Sequence, residues 1–151
     1  MPEQETIERA REDAREGKSP STQAGEFVRE EIHHIREGKH GAASTKQAIA
    51  IGLSKARRSG VKLGPPRGTV SARTKAQAAR DSRKAESGSA RTKPSRKRSR
   101  ATSRALKREG RKAASHAALS RQTKSVARKR GSTARKRSAK KAVQTRKRSS
   151  R

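Results

Sequence analysis

The strongest constraint on this chain is where its charge lies. Residues 65–151 hold 31 Lys and Arg against three acids, Asp81, Glu86 and Glu109, a net charge of +28. The same 87 residues contain only five large apolar side chains, Val70, Leu106, Leu119, Val126 and Val143. Such a segment has little apolar surface to set against the entropy of ordering itself, and its like charges repel, so the composition predicts a disordered tail. The preceding residues differ. Residues 1–37 carry ten acids and six bases, and 38–64 carry six bases and no acid. Ten of the 15 Leu, Ile, Val and Phe residues lie before residue 65, and Gly64-Pro65-Pro66 marks the change. The expected organisation is an acidic or mixed-charge helix and linker at 1–20, a helical hairpin at 21–64 and a basic tail at 65–151. The fold class is mainly α: a short helical hairpin of two or three helices followed by a long disordered basic tail.

Composition excludes several classes of function. The chain has no Cys, so there is no disulfide, thiol nucleophile or Cys-based zinc site. No apolar run approaches the ~20 residues of a membrane span, and the acidic start lacks the apolar stretch of a secretory signal. No phosphate-binding Gly loop is present, and nothing gathers Ser, His and Asp into a catalytic group. The chain is expected not to be an enzyme and to need no cofactor, small-molecule substrate or membrane.

Residues 3–16 read as a helix, with Pro2 at its start, Glu5 four residues before Arg9, and Gly17 at its end. Its apolar stripe, Ile7, Ala10 and Ala14, is thin. The second helix is expected from about Gln23 to Glu37, capped by Ser21 or Thr22 and stopped by Gly38. Ala24, Val28, Ile32 and Ile35 share its apolar face, with Phe27 at the edge; Glu26, Arg29, Glu30, His33, Arg36 and Glu37 face the other way. The third helix has the clearest start, a capping box with Ser44 as N-cap and Gln47 three residues on. Ala48, Ile49, Leu53 and Ala56 line its apolar face, Gly60 suits a left-handed C-cap, and Val61 can fold back onto Ala56. Ile51 falls among Lys55 and Arg58, which makes it a candidate contact. A hairpin this small buries too little to stand alone, so it must borrow core from the first helix, a second copy or a partner. A homo-oligomer formed through the hairpin is one such outcome.

The tail is Lys, Arg, Ser, Thr and Ala. Arg-Lys-Arg recurs at 96–98, 128–130, 135–137 and 146–148, and Ser-Ala-Arg-Thr-Lys at 71–75 and 89–93. Alanine gives stretches near 71–86, 101–109 and 112–130 good helix propensity, so partial helix is expected once a polyanion removes the self-repulsion. Lys and Arg that neutralise phosphates release condensed counterions, which drives association with nucleic acid, and guanidinium can grip two oxygens at once. The tail has no aromatic for base stacking and, as a disordered segment, no rigid element to hold side chains against base edges. The candidate nucleic-acid contacts are Lys46, Lys55, Arg57, Arg58 and Lys62 in the front half, and Arg96, Lys97, Arg98, Arg100, Arg128, Lys129, Arg130, Arg135, Lys136, Arg137, Arg146, Lys147 and Arg148 in the tail. The expected function is histone-like, nucleoid-associated binding of DNA, without sequence specificity. The alternatives are an RNA- or ribosome-associated basic protein, and a protein-interaction adaptor anchored by its tail.

His34 and His40, with Glu30, Glu31 and Glu37 nearby, are of metal-ligand type, but the spacing argues against a metal site. His33 and His34 point about 100° apart on a helix, and no Cys assists. Pairing of His33 with Glu37 and of His34 with Glu30 is the simpler expectation.

The string Ser-Thr-Lys-Gln-Ala-Ile-Ala-Ile-Gly-Leu-Ser-Lys-Ala-Arg-Arg at 44–58 resembles a small bacterial family of unknown function with a K-Q-A-I-A-I-x-L-S-x-A-R core. The resemblance covers roughly residues 21–64 and implies a bacterial origin; some members are loosely labelled DNA-binding or plasmid-stabilisation proteins. The tail resembles the Lys/Ala/Arg tails of linker-histone-like bacterial proteins.

Overall fold

The computed structural model describes residues 2–66, 70–87 and 95–149, whose regular structure is all helical. The second Ser-Ala-Arg-Thr-Lys lies outside them. In order, the helices are α1 (Gln4–Arg15), α2 (Pro20–Arg36), α3 (Thr45–Arg58), α4 (Ala72–Glu86), α5 (Arg96–Arg108) and α6 (His116–Ser149), with a 3-10 turn at Arg111–Ala114 before α6.

The front half follows its local signals closely. Ser44 caps α3 by accepting from the Gln47 amide at 3.2 Å. The Gln47 side chain completes the box one residue further back, accepting from the Ala43 amide at 2.7 Å. Gly60 adopts φ 93° and Val61 N–H returns to the Ala56 carbonyl at 3.1 Å, ending α3 as its sequence predicts. The start of α2 moves: Pro20 takes the first helical position and Ser19, rather than Ser21 or Thr22, stands at the N-cap.

Packing supplies what the isolated hairpin lacks. Ile7 and Ala10 of α1 pack on Ala24 and Phe27 of α2 and on Ala56 and Leu53 of α3, with Val61 and Leu63 closing the group. Phe27 is the centre of this cluster, 1% exposed, and not an edge residue. Helices α2 and α3 touch at Gly52: a Cβ there would lie 2.7 Å from Val28 Cα and 3.0 Å from the Phe27 carbonyl oxygen. Only hydrogen fits at this crossing. Arg9 of α1 reaches Glu26 of α2 at 3.0 Å and also pairs with Glu5.

The expected long disordered tail is absent; this corrects the fold class. Helix α4 lies against α3, where Asp81 is 3% exposed and accepts from Ser54 Oγ at 2.6 Å and Gln77 Nε2 at 3.1 Å. Further on, the chain returns to the hairpin. Ala113 and Ala114 are buried among Ile32, Ile35, Ala42 and Ala48, with Val28 and Leu119 packed beside them. Polar bonds fix this strap, residues 106–115. Gly41 N–H donates to the Leu106 carbonyl at 2.9 Å and Ala42 N–H to the Gly110 carbonyl at 3.3 Å. Thr45 Oγ1 donates to the Ala113 carbonyl at 2.7 Å, and Arg36 Nε to the Ala114 carbonyl at 2.9 Å. The borrowed core therefore comes from the chain's own α1, α4 and strap. The composition argument failed because it counted large apolar residues only. Alanine buries modest area but costs almost no side-chain entropy and favours helix.

Candidate nucleic-acid interface

Helices α5 and α6 carry 20 of the 43 Lys and Arg, and two thirds of the net positive charge. Residues 96–108 hold seven Lys or Arg and residues 116–149 hold 13, with no Asp or Glu in either stretch. Every one of these 20 side chains is exposed. They include Arg96, Lys97, Arg98, Arg100, Arg128, Lys129, Arg130, Arg135, Lys136, Arg137, Arg146, Lys147 and Arg148. No apolar stripe runs along α6; Val126 and Val143 are exposed. The helix is broken at Gly131, whose φ of 72° and ψ of 170° divide it into two rods. Arg130 bridges the break by donating to Ser138 Oγ at 3.1 Å. At 1.5 Å per residue the rods are about 22 and 27 Å long, and a helix of ~10–12 Å diameter matches the width of a DNA major groove. The expectation that no rigid element holds these cations is thus corrected along with the disorder.

The front-half candidates divide. Lys46 is exposed at the first turn of α3, on a groove that it shares with Lys112 of the strap and Arg121 of α6. Lys62 is exposed beyond α3. Arg58 is exposed, donating to the Ser54 carbonyl at 3.2 Å and lying 3.9 Å from Asp81. Lys55 and Arg57 are engaged internally. Lys55 Nζ lies 2.7 Å from Glu31 and 3.1 Å from Glu30. Arg57 is 8% exposed and donates to the Gly64 carbonyl at 3.3 Å. Their alternation with Arg58 along α3 does not reveal this, because the partners come from α2 and from the segment after α3.

Sequence reasoning also missed cations that the strap brings together. Lys39 from the α2–α3 loop, Lys107 and Arg111 share one open cleft with His40 and Glu109. Glu37 and Glu3 pair with Lys39 at 3.0 and 3.3 Å. These bonds, led by the contact with Glu37, hold the Lys39 ammonium above its ordinary range. The one aromatic, Phe27, is buried, so it offers no face for base stacking.

Glu30, which helical periodicity places on the polar face, and Glu31 next to it are buried at 6% and 1% exposure. Burial pushes the Glu30 carboxyl up. The Glu3 amide, Lys55 and Thr6 together outweigh it and hold the group below the ordinary carboxylate range. His33 pairs with Glu37 at 2.9 Å, as expected; His34 lies 3.9 Å from Glu30 and bonds more closely to Glu3, at 2.9 Å.

Residues 4–67 match a family of unknown function, DUF6496. The match spans α1 to α3 and stops before α4. No curated protein and no solved structure matches the chain. Among the described residues, no helix is long and apolar enough to cross a membrane.

Proposed function

We propose that the chain binds duplex DNA through phosphate contacts of α5 and α6, with little sequence preference, in the manner of a histone-like nucleoid protein. The helices α1–α4 and the strap act as the mount from which the two basic arms project. One observation carries this reading: 20 exposed Lys and Arg on two helices without a single acid. A helix charged on every side repels itself in isolation and gains most from a polyanion that lies along it. Low sequence preference follows from the side-chain inventory. Arg and Lys can grip guanine as well as phosphate, but α6 carries only Gln122 and Gln144 to read adenine, so a mixed base sequence has little to be read by. Stacking recognition of single strands or RNA loops has no exposed aromatic to support it.

The test is the salt dependence of binding by the nucleic-acid-free protein. If half of the 20 arm cations engage, the logarithm of affinity falls against that of salt with a slope near −9, using ~0.9 per phosphate. Unrelated duplexes should bind alike. Replacing Arg128, Lys129, Arg130, Arg135, Lys136 and Arg137 by alanine should flatten the slope by several units. A salt-independent affinity, or a strong preference for single-stranded RNA over duplex DNA, overturns the proposal.

A further inference from the structure

A second feature lies away from the arms, at the joint between α2 and the loop that follows it. Glu31 and His34 stand three apart on α2 and therefore share a face. His40 reaches the same point from the loop after Gly38, whose φ of 81° turns the chain back. One ligand atom from each of the three lies within 4.8 Å of the others. The two rings stand nearly perpendicular, at 83°, with centroids 6.2 Å apart.

The hydrogen bonds around the rings fix which nitrogens are free. His40 Nδ1 is 3.2 Å from the Gly41 carbonyl oxygen, which can only accept, so Nδ1 carries the hydrogen. Its Nε2 then presents a lone pair, 3.4 Å from Glu31 Oε1. His34 Nε2 is 2.9 Å from the Glu3 carboxylate, again an acceptor, so Nδ1 is the nitrogen with the lone pair. It lies 3.9 Å from Glu30 Oε1. In its neutral form each imidazole is thus held by an outer acceptor on one nitrogen and offers a lone pair on the other, the arrangement found in metal-ligating histidines. Glu31 is the buried, under-partnered member. Lys55 Nζ sits 2.7 Å from Oε2, but neither carboxylate oxygen receives a directed hydrogen bond. Two buried carboxylates, Glu30 and Glu31, meet one ammonium, which leaves a negative charge over and two lone-pair donors turned towards it.

We propose that Glu31, His34 and His40 form a binding site for a divalent cation of the zinc class. Two imidazole nitrogens and one carboxylate oxygen favour a borderline transition ion over Mg2+ or Ca2+, which take oxygen ligands. Tetrahedral ligands stand roughly 3.3 Å apart at zinc–nitrogen distances of ~2.0 Å, so an ion must draw together three groups that already lie within 4.8 Å of one another. The fourth position falls to Glu30 or to water. Bound there, the ion ties the loop to α2. Because Gly41 and Ala42 next to His40 hold the strap, it also tightens the docking of the chain that leads into α6.

The experiment is calorimetric titration of Zn2+ into the full chain after removal of metal by a chelator, with Mg2+ as control, and visible absorption of the Co2+ form. The expected result is one Zn2+ per chain, no Mg2+ uptake, and a tetrahedral Co2+ spectrum with nitrogen ligands. His34→Ala and His40→Ala should each weaken binding by about 100-fold or more, and Glu3→Ala, which removes the outer partner of His34, by about tenfold. His33→Ala and His116→Ala should leave it unchanged. No uptake by the parent chain overturns the proposal, as does uptake that survives both His34→Ala and His40→Ala, or a Co2+ spectrum of octahedral oxygen ligation. The Co2+ spectrum of the parent chain decides the matter even if a variant unfolds.

Discussion

Replacing Gly41 by alanine separates the strap from the hairpin without touching the strap itself. An added Cβ at this position would stand 1.8 Å from the Glu109 carbonyl oxygen, 2.4 Å from its carbon and 2.9 Å from the Gly110 oxygen. All three are backbone atoms, so no side-chain rotation relieves the clash, and the 109–110 segment must move by more than an ångström. Besides an exposed bond from Arg111 to the Arg36 carbonyl, four hydrogen bonds join strap and hairpin, donated by Gly41, Ala42, Thr45 and Arg36. At a net ~1 kcal/mol each they hold the strap by about 4 kcal/mol, which corresponds to about a thousandfold protection of the amides they bury. The assay is amide hydrogen exchange read at Ala42. In the parent chain this amide should exchange slowly, at a rate set by strap opening. In Gly41→Ala it should exchange up to about a thousandfold faster, while amides within α2 and α3 keep their protection. An Ala42 amide equally slow in both proteins would refute the argument. So would one already unprotected in the parent, since the charged segment would then be undocked.

Other substitutions probe other joints. Gly52→Ala should destabilise the front unit by about 1–3 kcal/mol, seen as a lower urea midpoint, because the α2–α3 crossing has no room for a methyl group. Lys55→Met should cost about 3–5 kcal/mol by leaving Glu30 and Glu31 without their ammonium, yet leave the salt slope of DNA binding unchanged. A flattened slope with normal stability would restore Lys55 to the interface. Asp81→Ala removes the acceptor of Ser54 and Gln77 and should free α4. Limited trypsin digestion should then cut after Arg80 and Arg83 faster, with α1–α3 still folded; unchanged cleavage would show that Asp81 does not hold α4. Ser44→Ala should cost about 0.5–2 kcal/mol as a lost N-cap, measured by thermal unfolding.

These joints differ in how far local sequence reveals them. The capping box at Ser44 and Gln47, the Gly60 stop and the apolar faces of α2 and α3 are short-range signals, and the structure follows them with shifts of a few residues at most. The strap is long-range and chemically quiet. Ala113 and Ala114 look like the other alanines of the basic tail, and only the carbonyls facing Thr45 and Arg36 distinguish them. Charge counting also misleads for a physical reason: it treats each Lys or Arg as repelled by its neighbours, whereas Asp81, a rare acid in that stretch, is the one buried against α3. The same limit applies to Glu31 and His40. Helical periodicity orders residues within α2 and is silent about a loop residue that returns to it. Spacing names His34, His40 and Glu31 as neighbours in sequence, but only the Gly38 turn brings the three together in space. The sequence marks Lys55 as a candidate nucleic-acid contact for the same reason, because the carboxylates it meets stand on a different helix. Function divides along these lines too. The arms need only exposed charge, which composition reveals; the Glu31–His34–His40 cluster needs tertiary convergence, which composition conceals.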